Sequence, residues 1–359
     1  MEALNMFAAT VSAMGPLCLV TFSGALLAHF QVLNKRSNEI TATACFKFLL
    51  PTFVLVNITK GIDFSSISHW WPLIVVPLIA ILISSIVGAL HTFFLNPPKH
   101  VRFSMNYLLI FANLTNAPVL LLNGACSSYG PLYGEDSCDK VNTYIFLQVM
   151  LFNLIAISGG YGLVYLDYLE KTKAKDDSLT PNEGPQISLK KMIIKQFYSP
   201  IPLMIYIGCI LGSIPGVKST FTEEDAPLAP VFDSLYMVGH SGVVLSQMVL
   251  GSNMWLTRKQ EAVVTKRYIA TVIVLRCVVI TFIGVVFIWW LYNLGIFGDD
   301  LVMAYLCLMN FASPTAIYIT LICQFFKVGL EETSAVLFWM YITSFVSLTL
   351  SGYVFFLIT

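Results

Sequence analysis

Ten long apolar stretches restrict this chain to folds that cross a lipid bilayer. A helix needs about 20 apolar residues to span the hydrocarbon core of a membrane. The stretches lie at residues 6–30, 40–58, 71–95, 104–123, 141–167, 192–214, 229–251, 267–293, 301–323 and 333–358. Only 11% of the residues are charged, whereas soluble domains have about a quarter. The sequence therefore predicts an all-α membrane protein with ten transmembrane helices, surrounded mainly by the lipid bilayer.

The positive charges between these stretches predict the orientation of the chain. If the N-terminus lies outside, 15 of the 20 Lys and Arg residues fall in cytoplasmic loops and three fall on the opposite side. Cytoplasmic loops of membrane proteins carry such an excess of Lys and Arg. Both termini are therefore expected on the non-cytoplasmic side. The formal net charge is zero, so the composition does not indicate a nucleic-acid partner.

Two of the eight cysteines differ from the rest in their predicted location. Cys126 and Cys138 share the loop between the fourth and fifth stretches, on the non-cytoplasmic side, where a disulfide can persist. The alternative is a pair of free thiols. The sequence has no Cys-x-x-Cys pair and no His/Cys cluster at metal-ligand spacing, so neither a metal site nor a cofactor is expected.

A polar segment divides the chain into two halves with five apolar stretches each. Residues 169–191 are predicted to form a cytoplasmic linker between a first repeat at 1–168 and a second repeat at 192–359. An odd number of spans per half places the second half in the membrane upside down relative to the first. If the halves share a fold, they are inverted repeats, an architecture known in secondary transporters.

Asparagine and proline interrupt the fourth apolar stretch of each half. The residues at the two breaks are Asn113, Asn116 and Pro118 in the first half and Asn310, Ser313 and Pro314 in the second. Proline removes a backbone hydrogen bond and clashes with the preceding turn, and lipid cannot satisfy the backbone groups that a break leaves unpaired. The fourth and ninth helices are therefore expected to be buried in protein and to cross near the middle of the membrane.

Two crossed breaks predict a site for an anion. Each break points the N-terminus of a half-helix, with its partial positive charge, into the same cavity. The asparagine amides beside the breaks offer donors and acceptors that can bind a carboxylate. Alternatively, these amides only satisfy the backbone groups at the breaks.

Eight other polar residues lie at membrane depth in the predicted spans. They are Lys47, His91, Gln148, Asn153, His240, Gln247, Arg276 and Gln324. Arg276 lies about 13 Å beyond Arg267 at 1.5 Å per residue, and a charge at that depth needs a partner, either backbone carbonyls of a broken helix or the substrate. Lys47 can extend to the membrane surface or, one turn before Pro51, contribute to a site. His240 can sense pH or simply be solvated.

Several motifs resemble those of the PIN-LIKES auxin carriers. They are Pro97-Pro98-Lys99-His100, Asn113-Leu114-Thr115-Asn116-Ala117-Pro118, Leu250-Gly251-Ser252-Asn253 and Glu332-Thr333-Ser334-Ala335-Val336-Leu337-Phe338-Trp339. The match covers most of the chain, and the short central linker fits this family better than the long-loop PIN carriers. The resemblance implies the auxin efflux carrier fold of ten helices, with a scaffold domain and a transport domain that contains crossed fourth and ninth helices.

The resemblance also implies a location, a substrate and site residues. It implies the endoplasmic reticulum membrane, with the plasma membrane second, homodimers, a role in auxin signalling, and indole-3-acetic acid as the type of substrate. Asn116, Pro118 and Pro314 match the family's crossover residues, and Pro51 matches its second-span proline. This chain has His240 where the family's seventh span has an acidic residue.

Together these features predict a membrane transporter of small amphipathic organic anions of the auxin type, which works by alternating access. Ion coupling is not expected, because no Asp or Glu lies in the middle of a predicted span. The predicted substrate-binding residues are Asn113, Asn116, Pro118, Asn310, Ser313, Pro314, Pro51, His240 and Gln247.

Other functions are consistent with parts of the same pattern. One is a sodium-coupled symporter of bile-acid-type organic anions, and another is an auxin-binding membrane receptor that does not transport. A membrane-embedded enzyme is not predicted, because the sequence shows no Ser/His/Asp, metal or paired-carboxylate arrangement.

The first prediction concerns topology. Tags inserted in the loop between Cys126 and Cys138 and in the linker at 169–191 should lie on opposite sides of the membrane, because of the asymmetry of Lys and Arg. In sealed vesicles of known orientation, a membrane-impermeant reagent should label the linker tag only from the cytosolic side. Labelling of both tags from one side would contradict this orientation.

Overall fold

In the computed structural model, the described part of the chain consists of helices and short connections. The structure describes residues 2–62, 69–114, 118–119, 121–122, 137–173, 194, 198–223, 226–257, 264–316 and 318–358. The helices are α1 (Glu2–His29), α2 (Lys35–Ala44), α3 (Leu50–Gly61), α4 (Pro72–Leu95), α5 (Arg102–Ile110), α6 (Ser137–Lys173), α7 (Pro200–Ser213), α8 (Pro215–Thr222), α9 (Ala229–Thr257), α10 (Lys266–Val274), α11 (Thr281–Asn293), α12 (Leu301–Ala312), α13 (Tyr318–Phe326) and α14 (Leu330–Ile358).

Two π-helical turns join neighbouring helices into longer rods. The turn Cys45–Leu49 connects α2 to α3, and the turn Leu275–Ile280 connects α10 to α11. Such turns shift the helical register locally and frequently occur at functional sites. Lys47 lies in the first turn and Arg276 in the second.

Four helical segments of the described chain are long and apolar enough to cross a membrane. They are Lys35–Gly61, Pro72–Leu95, Lys266–Asn293 and Leu330–Ile358, and α7 with α8, bent by 105° between them, make a fifth if the pair is one span. The helical segment Gly15–His29 and α12 are apolar but shorter. The chain is therefore an all-α membrane protein. The count of ten spans, the inverted repeat and the domain bounds stay predictions, and Cys126 and the side chain of Cys138 lie outside the described residues.

Helices α1, α3, α7 and α9 pack closely on one another. Where α1 crosses α9, a Cβ atom added to Gly251 would overlap the carbonyl oxygen of Thr21, and one added to Gly24 would overlap that of Met248. Small residues allow this close approach of two helix backbones within a membrane. Gln247 adds a hydrogen bond across the same contact, from its Nε2 to the Thr21 hydroxyl at 2.6 Å.

The remaining long helices form a second group around α6, α12 and α14. Its core contains large, fully buried side chains, among them Arg276, Tyr107, Tyr305 and Phe311. The ring of Tyr305 on α12 stacks on Phe355 of α14 at 5.5 Å. Helix α14 also contacts α1 and α9, and α6 also contacts α3, so the two groups share an interface.

Two buried or half-buried carboxylates fix the starts of the helices that lead to the breaks. Asp167 of α6 is fully buried and accepts hydrogen bonds from the backbone N–H groups of Phe103 and Ser104, at 3.0 and 2.7 Å, at the start of α5. Asp300 caps α12 through the Met303 N–H at 2.9 Å and accepts from the Tyr144 hydroxyl of α6 at 2.8 Å. Negative charge at a helix N-terminus is stabilising. Helix α6 therefore positions both α5 and α12.

Candidate functional site

The two helix breaks predicted from the sequence lie side by side. Helix α5 ends at Ile110 and α12 ends at Ala312, and Ala112 and Thr315 in the segments that follow form an antiparallel β-bridge. The N–H of Asn113 donates to the Pro314 carbonyl at 2.6 Å, and the N–H of Ala316 donates to the Phe111 carbonyl at 3.0 Å. Each break thus satisfies backbone groups of the other, which lipid cannot do.

Arg276 binds the carbonyl oxygens at the ends of both helices. Its side chain is fully buried. Nη1 donates to the Leu109 carbonyl of α5 at 3.0 Å, and Nη2 donates to the Asn310 carbonyl at 3.2 Å and the Ser313 carbonyl at 2.8 Å. Nε also donates to the Ser313 carbonyl, at 3.0 Å. Of the two partners that the sequence left open for Arg276, the structure shows the backbone carbonyls of the broken helices.

This arrangement changes the electrostatics of the breaks. The C-terminal end of a helix carries about half a negative charge and its N-terminal end about half a positive charge. Arg276 places one positive charge at the C-terminal ends of α5 and α12 and so neutralises them. Helix α13 starts at Tyr318, shortly after the second break.

Asn113 belongs to a hydrogen-bonded chain that ties the breaks to α14. Its Nδ2 donates to the Tyr341 hydroxyl at 2.7 Å, and that hydroxyl donates to the Thr315 carbonyl at 2.9 Å. The Thr315 hydroxyl in turn bonds the Leu108 carbonyl of α5 and lies 3.1 Å from the sulfur of Met340. Asn113 therefore has a structural contact, whatever else it binds. Tyr341, Thr315 and Met340 were not predicted, since neither their type nor their spacing marks them in the sequence.

Asn310 turns its amide back toward its own helix. Its Nδ2 lies 3.3 Å from the Leu306 carbonyl and 3.0 Å from the Cys307 carbonyl. Its Oδ1 and the hydroxyl of Ser313 are buried and have no hydrogen-bond partner within the described chain. Buried polar atoms without partners are rare and costly, so these two atoms are candidates for a hydrogen bond to a water molecule or a ligand.

The other predicted site residues lie at different distances from the breaks. Pro118 is buried just after the first break, and Asn116 lies outside the described residues. Pro51 is buried at the start of α3. His240 is exposed on α9, and Gln247 lies between α1 and α9. The structure thus brings Asn113, Asn310, Ser313 and Pro314 together and places Pro51, His240 and Gln247 on helices of the other group.

One aromatic contact links that other group to the breaks. Phe46, in the π turn just before Pro51, lies 6.2 Å from the ring of Tyr318 at the start of α13. His240 stacks on Tyr236 at 5.7 Å with an interplanar angle of 19°, and both rings lie within 6 Å of Phe53 on α3. The contact between Phe46 and Tyr318 thus lies between the two groups next to the second break, whereas the cluster of His240, Tyr236 and Phe53 lies within the first group.

Gln148 on α6 is one of the eight other polar residues at membrane depth and was not among the predicted site residues. It is 1% exposed, and neither its Oε1 nor its Nε2 has a hydrogen-bond partner among the described residues. Helix α6 runs antiparallel to α5: Asp167 bonds Ser104, and Phe152 lies 6.2 Å from Phe111. Gln148 lies one turn of α6 before Phe152, and therefore beyond the level of Phe111 in the direction in which the chain leaves α5.

The chemistry available at the paired breaks is recognition by hydrogen bonds and dipoles. Amide, hydroxyl and backbone groups lie near one guanidinium, each of whose three nitrogens donates to a backbone carbonyl. In the part of the chain that the structure describes, no group of three or more His, Cys, Asp or Glu is placed to hold a metal ion.

Comparison with known proteins agrees with the sequence motifs. The family model for "Membrane transport protein" matches residues 9–351. Protein PIN-LIKES 1 of Arabidopsis thaliana is 23% identical over 374 residues, which cover 97% of this chain and 79% of the relative. Protein PIN-LIKES 7 is 22% identical, covering 94% of each chain, and Protein PIN-LIKES 3 is 21% identical, covering 96% of each, both from the same plant.

These matches confirm the resemblance to PIN-LIKES proteins, at low identity but over nearly the full chain. The family match covers far more than half of the sequence. The chain therefore belongs to the membrane transport protein family, the family of the auxin efflux carriers.

Proposed function

We propose that this protein carries small amphipathic organic anions of the auxin type, such as indole-3-acetate, across its membrane by alternating access and without ion coupling. The observation that carries the proposal is the pair of bridged helix breaks whose negative ends are neutralised by Arg276. Broken helices near the middle of the membrane are where secondary transporters bind their substrates. In this proposal, an anion placed there meets the amide of Asn116 and the positive end of α13.

The substrate carboxylate binds, in this proposal, at Asn116 with the buried polar groups around the breaks. Asn113, Asn310, Ser313, Pro118 and Pro314 shape the site. The aromatic interface near Phe46 and Tyr318 receives the apolar part of the substrate. Pro51, His240 and Gln247 belong to the opposing helices that form the other wall of the pathway.

Alternating access requires two bodies that move relative to each other. We assign α1, α3, α7 and α9 to the scaffold and the helices around α6, α12 and α14 to the moving body, within ten helices arranged as two inverted repeats at 1–168 and 192–359. The extensive contacts inside each group support this division. The expected location is the endoplasmic reticulum membrane, with the plasma membrane second and a homodimer as the assembly.

The energetics of an uncoupled carrier follow from the charge of its substrate. One charge that crosses a membrane is worth about 2.3 kcal/mol per 100 mV of potential. Where the potential is small, the gradient of the solute itself determines the direction of net flux. Where it is large, the potential drives the anion toward the positive side.

The test of this function is uptake into sealed proteoliposomes that contain the purified protein. Labelled indole-3-acetate should enter when sodium is replaced by choline and the pH is equal on both sides. Unlabelled substrate trapped inside should accelerate uptake by counterflow. A strict requirement for sodium would favour the symporter, and binding without counterflow would favour the receptor.

A second prediction separates substrate contacts from structural contacts at the breaks. Asn116→Ala should weaken substrate binding about 10- to 150-fold, which corresponds to about 1.5–3 kcal/mol for a hydrogen bond to a charged group. Asn116→Asp should weaken it more, because a negative charge repels the anion. Tyr341→Phe, which removes the partner of Asn113, should lower the melting temperature and leave the affinity unchanged.

Affinity and melting temperature should be measured on the same purified variants. An Asn116→Ala protein with normal stability and normal affinity would show that Asn116 does not contact the substrate. In that case Asn113 and Asn310 are the next amides to replace.

A third prediction concerns Gln148. Gln148→Leu keeps the approximate volume and removes two unpaired buried polar atoms, so the variant should melt at a higher temperature. If the Gln148 amide forms a hydrogen bond with the substrate, the variant should also bind the substrate at least tenfold more weakly. Ser84→Ala is the matched control, since Ser84 on α4 is also buried with an unpaired hydroxyl and has no proposed role. Unchanged affinity of Gln148→Leu would exclude Gln148 from the site.

A further inference from the structure

Arg276 is a full charge deep in the membrane that is balanced by carbonyl groups. It lies ten residues beyond Lys266, about 15 Å along the helix at 1.5 Å per residue. Among the described residues it has no carboxylate within ion-pair distance, and its four hydrogen bonds go to three main-chain carbonyls. A charge at this depth is expensive unless its surroundings compensate it.

The three carbonyls form the kind of ligand set that binds a monovalent cation. They come from the ends of two broken helices, Leu109 on one side and Asn310 and Ser313 on the other. In secondary transporters, unwound backbone carbonyls and the C-terminal ends of half-helices coordinate the coupling Na⁺. Two such ends carry together about one negative charge, which equals the charge of one guanidinium with opposite sign.

We propose that Arg276 is a tethered cation that occupies the place between the two broken helices where a coupling ion would otherwise bind. Because the guanidinium is covalently part of α10–α11, it stays in the protein throughout the transport cycle. It therefore supplies the positive charge that an anion-selective crossover needs and makes a free cation unnecessary. The claim that Arg276 makes the crossover select anions rests on the proposed transport function. The claim that its guanidinium fills the position of a cation does not.

The π turn around Arg276 fits this role. A π turn leaves its carbonyl groups out of the normal helical ladder, and the Thr281 hydroxyl donates to the Arg276 carbonyl at 3.2 Å. The same hydroxyl lies 3.5 Å from the Phe311 carbonyl of α12. The side chain of residue 276 is thus bonded to the end of α12, and the Thr281 hydroxyl lies between the Arg276 carbonyl and the Phe311 carbonyl of that helix.

The test removes the guanidinium of Arg276 by mutation and then adds a free cation to the solution. Purified Arg276→Ala should gain melting temperature in a saturable manner with millimolar guanidinium or Na⁺, at constant ionic strength with choline as the balancing cation. Wild-type protein and Arg267→Ala should not respond, because Arg267 is exposed at the start of the same helix. In proteoliposomes, uptake of the organic anion by Arg276→Ala should become dependent on guanidinium or Na⁺.

Two further variants make the outcome decisive if Arg276→Ala does not fold. Arg276→Lys keeps the charge, and Arg276→Met keeps much of the volume without it. The proposal expects Arg276→Lys to fold and to retain cation-independent stability, and it expects Arg276→Met to fold only in guanidinium or Na⁺. Equal behaviour of these two variants, or a stable Arg276→Ala that ignores added cations, would overturn it. These melting measurements need no substrate, so a wild-type protein that fails to transport organic anions refutes the proposed function without affecting this test.

Discussion

The four hydrogen bonds of Arg276 satisfy carbonyl groups that the two helix breaks would otherwise leave unpaired. Two helices broken inside a membrane expose carbonyl groups that neither water nor lipid can satisfy. One guanidinium reaches carbonyls of both helices, and the β-bridge between Ala112 and Thr315 pairs the strand-like segments that follow. Without this charge, the ends of α5 and α12 would repel each other across a dry contact.

The other helices of this group are arranged so that the breaks stay in place. Asp167 caps α5, and Tyr144 holds the Asp300 cap of α12, so α6 fixes both helices at the ends remote from the breaks. On the opposite side, Tyr341 of α14 bonds both Asn113 and the Thr315 carbonyl. The paired breaks are thus held at three points within this group of helices.

The sequence predicted what depends on local chemistry and missed what depends on contacts between helices. The proline and asparagine breaks, the helical membrane fold and the need of Arg276 for a partner all follow from residue type and depth. The bond between Asn113 and Tyr341, the cap by Asp167 and the unpaired amide of Gln148 depend on the register of helices distant in sequence. Depth alone also selected His240 and Gln247, which the structure places on α9.

The charge distribution at the breaks suits a carrier that must release what it binds. A substrate carboxylate in direct contact with a bare lysine or arginine in a dry site would be held strongly, because charges attract more strongly at low dielectric constant. Arg276 instead donates its hydrogen bonds to carbonyl groups. Its charge would therefore act on the substrate only over a distance, reduced by the opposite charge of the two helix ends. In the proposed transport, the direct contacts left to an anion are amide and backbone dipoles. Transport requires binding that is favourable enough for occupancy and weak enough for release, and the carbonyl partners of Arg276 contribute to that balance.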